Sequence, residues 1–485
     1  MLSDHLLLLA SLLVFAAVLI TKVGAKLGAP SLLLFLLLGM AAGADGLGME
    51  FNNYEVAESI GHFAMTVILF AGGLETSMAE TKPVLRQGAL LSTLGIILTT
   101  AFTGSFIYLT VGHSIGGVAM TFLGGLLIAA VMSSTDSASV FSVLRGKRLN
   151  LRENLGPMLE LESGSNDPMA YVLTIILVGV FSTETQLGTG GLLLKGLGIL
   201  AVQLVVGLAV GLAIGFAAKW LLEKVDLDNA SLYAIMVFSI GFLANALASI
   251  LHGNGLLALY VAAIIIGNQV RLKHRSDVMK FSDGITWLMQ LMMFLMLGML
   301  ARPSQMWHIL GPALLIGLFM IFIARPLTVY LTLLPFRKMS FRAKTFVSWV
   351  GLKGAGPILF ALCPVVAGLE SSTEIFNIVF VISLLSLILQ GFSLPRVARW
   401  LKLSYEEDPE VETFGMEIPE EMGMLRDHTV HEDELGNGKT LRDLHLPHGI
   451  RVIMVRRNER FLVPHGSMEL MPGDHLMLIL GESDD

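Results

Sequence analysis

The sequence is poor in cysteine and in charged residues, and both shortages limit what the protein can be. One of its 485 residues is a cysteine, Cys363, which excludes an intrachain disulfide and a cysteine-ligated metal cluster. Charged residues make up 15% of the chain, against roughly 25% in soluble domains. Hydrophobic residues reach 54% and the mean hydropathy is +0.73. These values predict a polytopic membrane protein.

Motifs that would define two rival classes of membrane protein are also missing. A potassium channel would need a carbonyl selectivity filter such as Thr-Val-Gly-Tyr-Gly, which the sequence lacks. An intramembrane aspartyl protease would use two membrane aspartates, but its Gly-x-Gly-Asp motif is absent. The sequence contains no phosphate-binding loop, and nothing in it indicates a nucleic-acid partner.

Long apolar runs separated by short polar links predict about thirteen membrane spans. Their approximate limits are 5–21, 29–44, 56–74, 87–111, 117–144, 156–182, 190–218, 229–250, 255–270, 284–301, 307–335, 343–366 and 373–394. Asp4 and His5 precede the first run in place of basic residues, which favours a membrane helix over a signal peptide. Basic residues concentrate in alternate links, so the positive-inside rule predicts a periplasmic N-terminus and a cytoplasmic C-terminus.

Two of the predicted spans are interrupted. Ser133–Ser139 breaks the fifth span, and the glycine-rich Gly351–Pro357 breaks the twelfth. Irregular backbone at membrane depth is tolerated only where it lines a cavity or packs in protein. The two breaks correspond if spans 4–6 and 11–13 are inverted repeats, an arrangement that points to a transporter site. We therefore predict an all-α polytopic membrane protein with inverted repeats and two broken, crossing helices.

The last part of the chain differs in charge from the rest. Residues 401–485 hold 8 basic and 19 acidic side chains, whereas residues 1–400 hold 24 and 20. We divide the chain into a transmembrane domain (1–400), an acidic linker (401–414) and a small cytoplasmic α/β regulatory domain (415–485). The predicted elements of that domain are strands near Thr429–Glu434, Arg451–Arg456, Arg460–Pro464 and Leu476–Leu480, a helix near Leu441–Leu444 and a turn at Pro472–Asp474.

The segment Leu161–Pro168 carries the strongest functional signal. Its carboxylates, Glu162 and Asp167, lead into a long apolar run, and a charge at membrane depth is by default a functional-site hypothesis. On a helix, Ser163 and Asn166 share a face with Asp167. Such an oxygen cluster suits a small cation or a proton. The alternative, a polar helix end at the membrane surface, fits poorly with the long apolar flanks.

Four stretches of the membrane part resemble, in order, motifs of the electroneutral branch of the sodium/proton antiporter superfamily. They are Thr135-Asp136, Glu162-Ser-Gly-Ser-Asn-Asp167, Arg325-Pro326 and Gly351-Leu-Lys-Gly-Ala355. The tail, from Leu446-Pro-His-Gly-Ile-Arg-Val through Pro472-Gly-Asp474, is similar to the C-terminal subdomain of regulator-of-potassium-conductance proteins. The combination indicates the bacterial potassium/proton antiporter group.

The resemblance implies that Asp167 holds a proton and a cation in turn. Further oxygen ligands are implied at Asp136, Thr135 and Ser163. Asn166 stands where electrogenic relatives have an extra aspartate, and one fewer titrating carboxylate suits a one-for-one exchange.

The resemblance also implies roles for residues around this cluster. Glu162 is expected to pair with Arg325, because an unpaired buried charge is costly. Lys353 stands where many relatives have arginine, and we expect it to neutralise carbonyl ends in the broken helix. Its alternative role is in proton coupling, because a buried lysine can lose its proton. Glu75 and Glu160 are candidates for a cytoplasmic funnel, or else ordinary carboxylates at helix ends.

The function implied is that of a secondary active antiporter and not of an enzyme. It would exchange one monovalent cation for one proton by an elevator-type movement, with potassium favoured and sodium or lithium as the alternative. A ligand-gated potassium channel is the less favoured reading. We expect a homodimer in the lipid bilayer of a bacterial inner membrane, serving pH homeostasis and cell volume regulation. No cofactor is expected, although a small regulatory ligand, by analogy a nucleotide, is a candidate at the tail.

Overall fold

The computed structural model describes residues 4–27, 30–110, 121–147, 149–182, 189–225, 227, 229–270, 272, 274–406, 425–430, 440–444, 450–457 and 460–480. The chain forms two compact units, Met1–Tyr405 and Glu406–Asp485. The first unit is helical and the second contains a small sheet. Most of the predicted linker lies outside the described residues.

The first unit is built from apolar helices. Within the described ranges, eight are long and apolar enough to cross a membrane, and five more are shorter. In chain order the helices are α1 (Asp4–Leu27), α2 (Ser31–Ala42), α3 (Tyr54–Glu75), α4 (Met78–Thr110), α5 (Phe122–Val131), α6 (Ser137–Arg145), α7 (Leu155–Ser182), α8 (Thr189–Leu222), α9 (Ala230–Ile250), α10 (Gly255–Gln269), α11 (Arg275–Leu300), α12 (Trp307–Thr332), α13 (Phe341–Trp349), α14 (Ala355–Val366) and α15 (Ser372–Trp400). Each predicted span coincides with one helix or with a broken pair, which confirms the predicted fold class.

The two broken spans cross each other. The fifth span divides into α5 and α6, and the twelfth divides into α13 and α14. The backbone N–H of Asp136, in the first break, donates to the carbonyl of Leu352, in the second, at 2.8 Å. Because no water is available at this depth, such a bond satisfies backbone groups that the breaks release from the helices. The crossing therefore depends on both breaks being present.

A further irregularity recurs in corresponding helices. Leu91–Gly95 in α4 and Met320–Ala324 in α12 each form a single π-helical turn. Such turns insert an extra residue and are frequent at functional sites. The turn in α12 directly precedes Arg325. The two helices meet just after their turns, where Thr99 of α4 donates to the hydroxyl of Thr328 of α12 at 3.2 Å. The two turns therefore lie in helices that the predicted repeat relates to each other.

A short strand pair lies at the end of the membrane unit. Strand β1 (Leu149–Leu151), in the connection between α6 and α7, pairs with strand β2 (Ser404–Glu406). The backbone N–H of Arg152 also donates to the Leu403 carbonyl at 2.8 Å. Residues 401–405 therefore belong to the folded membrane unit, although the sequence places the start of the linker at 401.

The second unit contains a four-stranded antiparallel sheet. Its strands are β3 (Leu425–Thr429), β4 (Ile450–Arg457), β5 (Arg460–Leu462) and β6 (His475–Leu480), in the order β3-β6-β4-β5. Its core includes Val430, Val455, Leu470, Leu476 and Leu478. The helix predicted near Leu441–Leu444 is wrong. The segment is a turn: the Asp443 N–H closes it on the Thr440 carbonyl at 2.9 Å, and the N–H groups of Leu441 and Arg442 donate to a neighbouring segment, at Met468 and Gly466.

The turn at Pro472–Asp474 holds this sheet together through a buried carboxylate. Arg457 contacts both oxygens of Asp474, with Nε at 2.8 Å from Oδ1 and Nη2 at 2.6 Å from Oδ2. The Met471 N–H donates to the same carboxylate at 2.8 Å. Burial alone would raise the pKa of Asp474, but the hydrogen bonds from Arg457 and Met471 outweigh it and lower the pKa below its ordinary value.

We expect Asp474→Asn to destabilise this sheet by about 2 kcal/mol at neutral pH, because a charge-assisted, two-pronged interaction is lost. The carboxyl pKa is depressed in the folded state, so its stabilisation is complete above about pH 4 and is lost as the pH falls through the folded-state pKa. Hydrogen exchange of the full chain should therefore be faster over residues 450–480 at pH 7. The further loss of protection in acid should be smaller than in the parent protein.

The exposed Glu469 supplies the matched control. Glu469→Gln removes the same charge but leaves both oxygens of Asp474 and their partners in place. Its exchange pattern should match that of the parent. Equal protection in Asp474→Asn and the parent would contradict the structural role of the pair.

Candidate functional site

Four of the predicted carboxylates, but not Glu162, line one cavity of about 300 Å³ in the membrane unit, which we call the site cavity. Among the residues that line it are Glu75, Asp136, Glu160, Asp167, Tyr260 and Asp283. Asp136 lies in the first helix break, and Asp167 lies in the middle of α7. Helix α7 thus brings the strongest motif of the sequence against the crossing of the broken helices.

Asp167 has a hydroxyl partner in the first break. Ser134 donates its hydroxyl to Asp167 Oδ1 at 2.6 Å. Gly356, in the first turn of α14, is close on the other side, since a Cβ placed there would lie 3.4 Å from the same oxygen. Asp167 Oδ1 is therefore held between the two broken spans, and the carboxylate borders the site cavity.

Asp136 caps the half-helix that follows it. Its Oδ1 accepts from the Ser139 N–H at 3.0 Å, and its Oδ2 accepts from the Ser139 hydroxyl. A carboxylate in this position satisfies a free N–H group and matches the positive end of the helix dipole. A Cβ at Gly354 would lie 1.8 Å from Asp136 Oδ2, so the second break needs glycine at that position.

Ser163 and Asn166 connect α7 to the first break. The Ser163 hydroxyl donates to the Thr135 carbonyl at 2.8 Å and accepts from the Ser137 N–H at 3.1 Å. Asn166 donates from Nδ2 to Thr135 Oγ1 at 2.6 Å. The Asn166 Oδ1 atom is buried and has no hydrogen-bond partner among the described residues. These polar groups therefore brace the irregular backbone as well as surrounding Asp167.

Lys353 is buried in the second break and reaches into the first. Its Nζ donates to the carbonyl of Ser134 at 2.7 Å and approaches that of Ser133 at 3.4 Å. Its backbone N–H donates to the Ser386 hydroxyl at 2.9 Å. The ammonium group thus lies on carbonyls that α5 leaves without a helical partner, where a positive charge is favourable.

Glu162 and Arg325 form an ion pair behind the crossing. Arg325 Nη2 lies 2.6 Å from Glu162 Oε1, and both side chains are nearly inaccessible. The contact is not aligned as a hydrogen bond, and Glu162 Oε2 and Arg325 Nε have no other partner in the described part of the chain. Removing either member would leave an uncompensated buried charge, which typically costs about 3–5 kcal/mol.

The cluster as a whole carries one excess negative charge. Its three carboxylates are Asp136, Glu162 and Asp167, and its two basic side chains are Arg325 and Lys353. With every group ionised, the sum is −1, so a single proton or a single monovalent cation makes the cluster neutral.

A family comparison agrees with this geometry. The model described as "Sodium/hydrogen exchanger, transmembrane" matches residues 11–400, which is most of the chain. The chain belongs to the sodium/hydrogen exchanger family. The TrkA-C domain matches residues 426–485, within the second unit.

Individual relatives extend the likeness over nearly the whole chain. The K(+)/H(+) antiporter NhaP2 of Shewanella sp. (strain MR-4) is 36% identical over 98% of this chain and 81% of its own length. The K(+)/H(+) antiporter NhaP of Alkalimonas amylolytica is 38% identical over 95% of this chain and 75% of its own. The protein is accordingly a cation/proton antiporter in a membrane, a transporter and not an enzyme.

A solved structure shows the same fold. The sodium proton antiporter MjNhaP1 from Methanocaldococcus jannaschii superposes with a TM-score of 0.67 at 23% sequence identity. The match covers 81% of this chain and 97% of that chain. The fold of this exchanger family member is therefore shared with a known antiporter.

The structure also places residues at the site that the sequence did not single out. Ser134, Tyr260, Asp283 and Gln290 all line the site cavity or contact Asp167. Ser134 lies inside the predicted break, so its polarity was a usable signal. Tyr260 and Gln290 lie in apolar spans far from the motif, and no local pattern distinguishes them. The predicted funnel candidates Glu75 and Glu160 do lie in the cavity wall.

We expect Gly354→Ala to abolish exchange in this family member. The added Cβ would overlap the Asp136 carboxylate, so either the cap of α6 or the crossing must open. Cation-dependent proton movement in reconstituted vesicles measures the loss. Gly311→Ala is the matched control, because a Cβ there meets nothing within 4 Å. A normal exchange rate in Gly354→Ala would show that the close approach is unnecessary.

Proposed function

We propose that the protein exchanges one potassium ion for one proton, with both ions competing for Asp167. The observation that carries this proposal is the cluster of three carboxylates and two basic groups, which a single positive ion neutralises; Glu162, Arg325 and Lys353 are buried, and the two aspartates are half-buried at the site cavity. Burial away from water disfavours the ionised carboxylate, and a bound cation favours it. A proton and a cation therefore exclude each other, and the one-for-one exchange is electroneutral.

The residues around Asp167 suit this competition. Asp136 and the hydroxyls of Thr135 and Ser163 supply hard oxygen atoms of the kind that alkali cations prefer. Asn166 contributes a buried amide oxygen that has no partner among the described residues. The Lys353 ammonium group lies within hydrogen-bond distance of two backbone carbonyls in the first helix break. This contact supports a structural role for its charge rather than a role in carrying protons. The Glu162–Arg325 pair stiffens the crossing from behind.

The similarity to potassium/proton antiporters favours potassium over sodium and lithium as the transported cation. Both curated relatives named above are K(+)/H(+) antiporters, and they match the chain through the tail as well as the membrane unit. The oxygen ligands alone do not separate alkali cations, because cavity size and rigidity decide among them. Sodium or lithium exchange at the same site is the second candidate, supported by the fold shared with a sodium proton antiporter.

Transport across the membrane requires the site to face each side in turn. We propose an elevator-type movement of the bundle α4–α7 and α12–α15 against the other helices, within a homodimer in a bacterial inner membrane. Basic residues in alternate links support a periplasmic N-terminus and a cytoplasmic tail. In that orientation the site cavity opens to the cytoplasm, and Glu75 and Glu160 line its entrance. Such exchange would serve pH homeostasis and cell volume regulation.

The tail is proposed to regulate exchange in response to a small ligand, and a nucleotide is one candidate to test. Supporting this role, the strand that precedes the tail, β2, pairs with β1 between the helices that carry Asp136 and Asp167. Arg152, at the end of β1, also lies 6.0 Å from the ring centre of Tyr405. The last strand of the membrane unit is therefore hydrogen-bonded to the connection between these helices.

We expect Asp167→Asn to abolish potassium-dependent proton movement in reconstituted vesicles, because the amide neither titrates nor balances a cation. Asp277→Asn, at the exposed start of α11, makes the same change outside the site and should exchange normally. A pH-scanned competition between potassium, sodium and protons on the parent protein ranks the cations. An imposed membrane potential should leave the parent rate unchanged. Retained exchange in Asp167→Asn would remove this residue from the centre of the mechanism.

We expect removal of residues 407–485 to leave exchange intact but to change its dependence on pH or on a tail ligand. This truncation keeps β2, so the membrane unit stays complete. A cut before residue 404 also removes the partner of β1 and should lower the exchange rate itself. The measurement is the exchange rate against cytoplasmic pH for both truncations. Identical profiles in the full chain and the 407–485 truncation would contradict regulation by the tail.

A further inference from the structure

A second polar cavity lies on the other side of Asp167 from the site cavity. It has a volume of about 270 Å³, and we call it the opposite cavity. Among the residues that line it are His62, Tyr171, Gln203, Asn245, Ser249 and Asn254. Along α3 and α7 the two cavities occupy different levels. On α3, the site cavity is lined from Met65 onwards, and the opposite cavity is lined by His62. On α7, the site cavity is lined as far as Asp167, and the opposite cavity is lined from Tyr171 onwards.

Only about one helical turn of α7 separates Asp167 from the opposite cavity. Tyr171 follows Asp167 by four residues, which corresponds to ~6 Å along a helix. The two cavities are divided here by the contact of α7 with α10. A Cβ at Gly164 would lie 2.6 Å from Tyr260 Oη, so α10 presses directly on α7 one turn before Asp167.

Asn254 makes the second contact with α7, at Pro168, the residue that follows Asp167. Its Nδ2 donates to the carbonyl of Pro168 at 3.0 Å, and the residue is 3% exposed. Its Oδ1 accepts from the Leu257 N–H at 3.0 Å and caps α10. Its backbone N–H donates to the Gln203 carbonyl at 2.9 Å, in α8. One residue thus joins α7 to α8 and α10.

The helices on the Asn254 side form a rigid support. A Cβ at Gly207 would lie 2.7 Å from the Asn254 carbonyl oxygen, and one at Gly211 would lie 2.6 Å from that of Ala258. Such close approach of α8 and α10 through glycines gives extensive van der Waals contact at membrane depth. The Asn254 amide is therefore fixed, and movement of α7 along α10 must break its bond to Pro168.

We propose that the Asn254–Pro168 hydrogen bond is a latch that holds Asp167 at the site cavity, and that its release lets α7 carry Asp167 to the opposite cavity. This inference rests on the alternating access proposed above, and it makes Asn254 a positioning residue. A single hydrogen bond contributes modestly, so its loss should shift the balance between the two positions by about fivefold. That strength suits a contact that opens in every cycle.

Asn254→Ser tests the latch selectively. Serine keeps a side-chain oxygen to cap α10 but lacks the amide that reaches Pro168. Asn254→Asp is the second variant, because it keeps the shape and the capping oxygen and lacks the N–H donor. Asn229→Ser is the matched control, since Asn229 caps α9 through the Ser231 N–H at 2.9 Å.

The readout is the labelling rate of a single cysteine. The full chain carries Cys363→Ala and Val172→Cys, a position on α7 that borders the opposite cavity and is 3% exposed. A membrane-impermeant maleimide is applied from one side of the membrane. That side is identified with a separate variant, Ser249→Cys, which places the cysteine at an exposed position in the same cavity. Both Asn254 variants should label about five times faster than the parent, and Asn229→Ser should label at the parent rate.

Two results would overturn the latch. One is labelling in both Asn254 variants within twofold of the parent. The other is an equal increase in Asn229→Ser, which would mean general loosening. Potassium-dependent proton movement is measured on the same preparation of the parent chain. Its absence would refute the proposed function, whereas its presence with unchanged labelling would refute the latch alone.

Discussion

The backbone groups released at the two helix breaks are the constraint on which the membrane unit depends. Lipid offers them no partner, so the protein, or water where a break borders the site cavity, must supply one. The Leu352 carbonyl takes the N–H of Asp136, the Asp136 side chain takes the N–H of Ser139, and Lys353 takes the Ser134 carbonyl. The same groups surround the site cavity. A change that affects the stability of the crossing therefore also affects the groups of the proposed ion site.

The charges of this network explain why basic residues accompany the carboxylates. Arg325 offsets Glu162 and Lys353 offsets a second carboxylate, which leaves one negative charge for the transported ion. Fewer basic groups would leave a loaded site charged, and more would repel the cation. With every group ionised the network sums to −1, and under the proposed exchange one proton or one monovalent cation would neutralise it. Asn166 maintains that balance because its amide adds polarity without a charge.

The site is also connected to the parts of the molecule that do not bind ions. Helix α7 carries Asp167 and contacts α10 on both sides of it, at Gly164 and at Pro168. The connection from α6 to α7 contains β1, which pairs with β2, the last strand before the tail. In the movement proposed above, these attachments would couple α7 to groups far from Asp167. The tail sheet has its own core and its own buried ion pair.

The sequence by itself determined the spans, the two breaks and the motif residues, because apolar length and interrupting polar residues are local properties. It misplaced a helix at Leu441–Leu444, where the structure has a turn whose Leu441 N–H donates to the carbonyl of the more distant Met468. Only the tertiary structure decided which hydroxyl meets Asp167, which tyrosine covers Gly164 and which amide holds Pro168. Those partners come from helices distant in sequence, and their approach depends on how small residues let the helices pack, which no local pattern records.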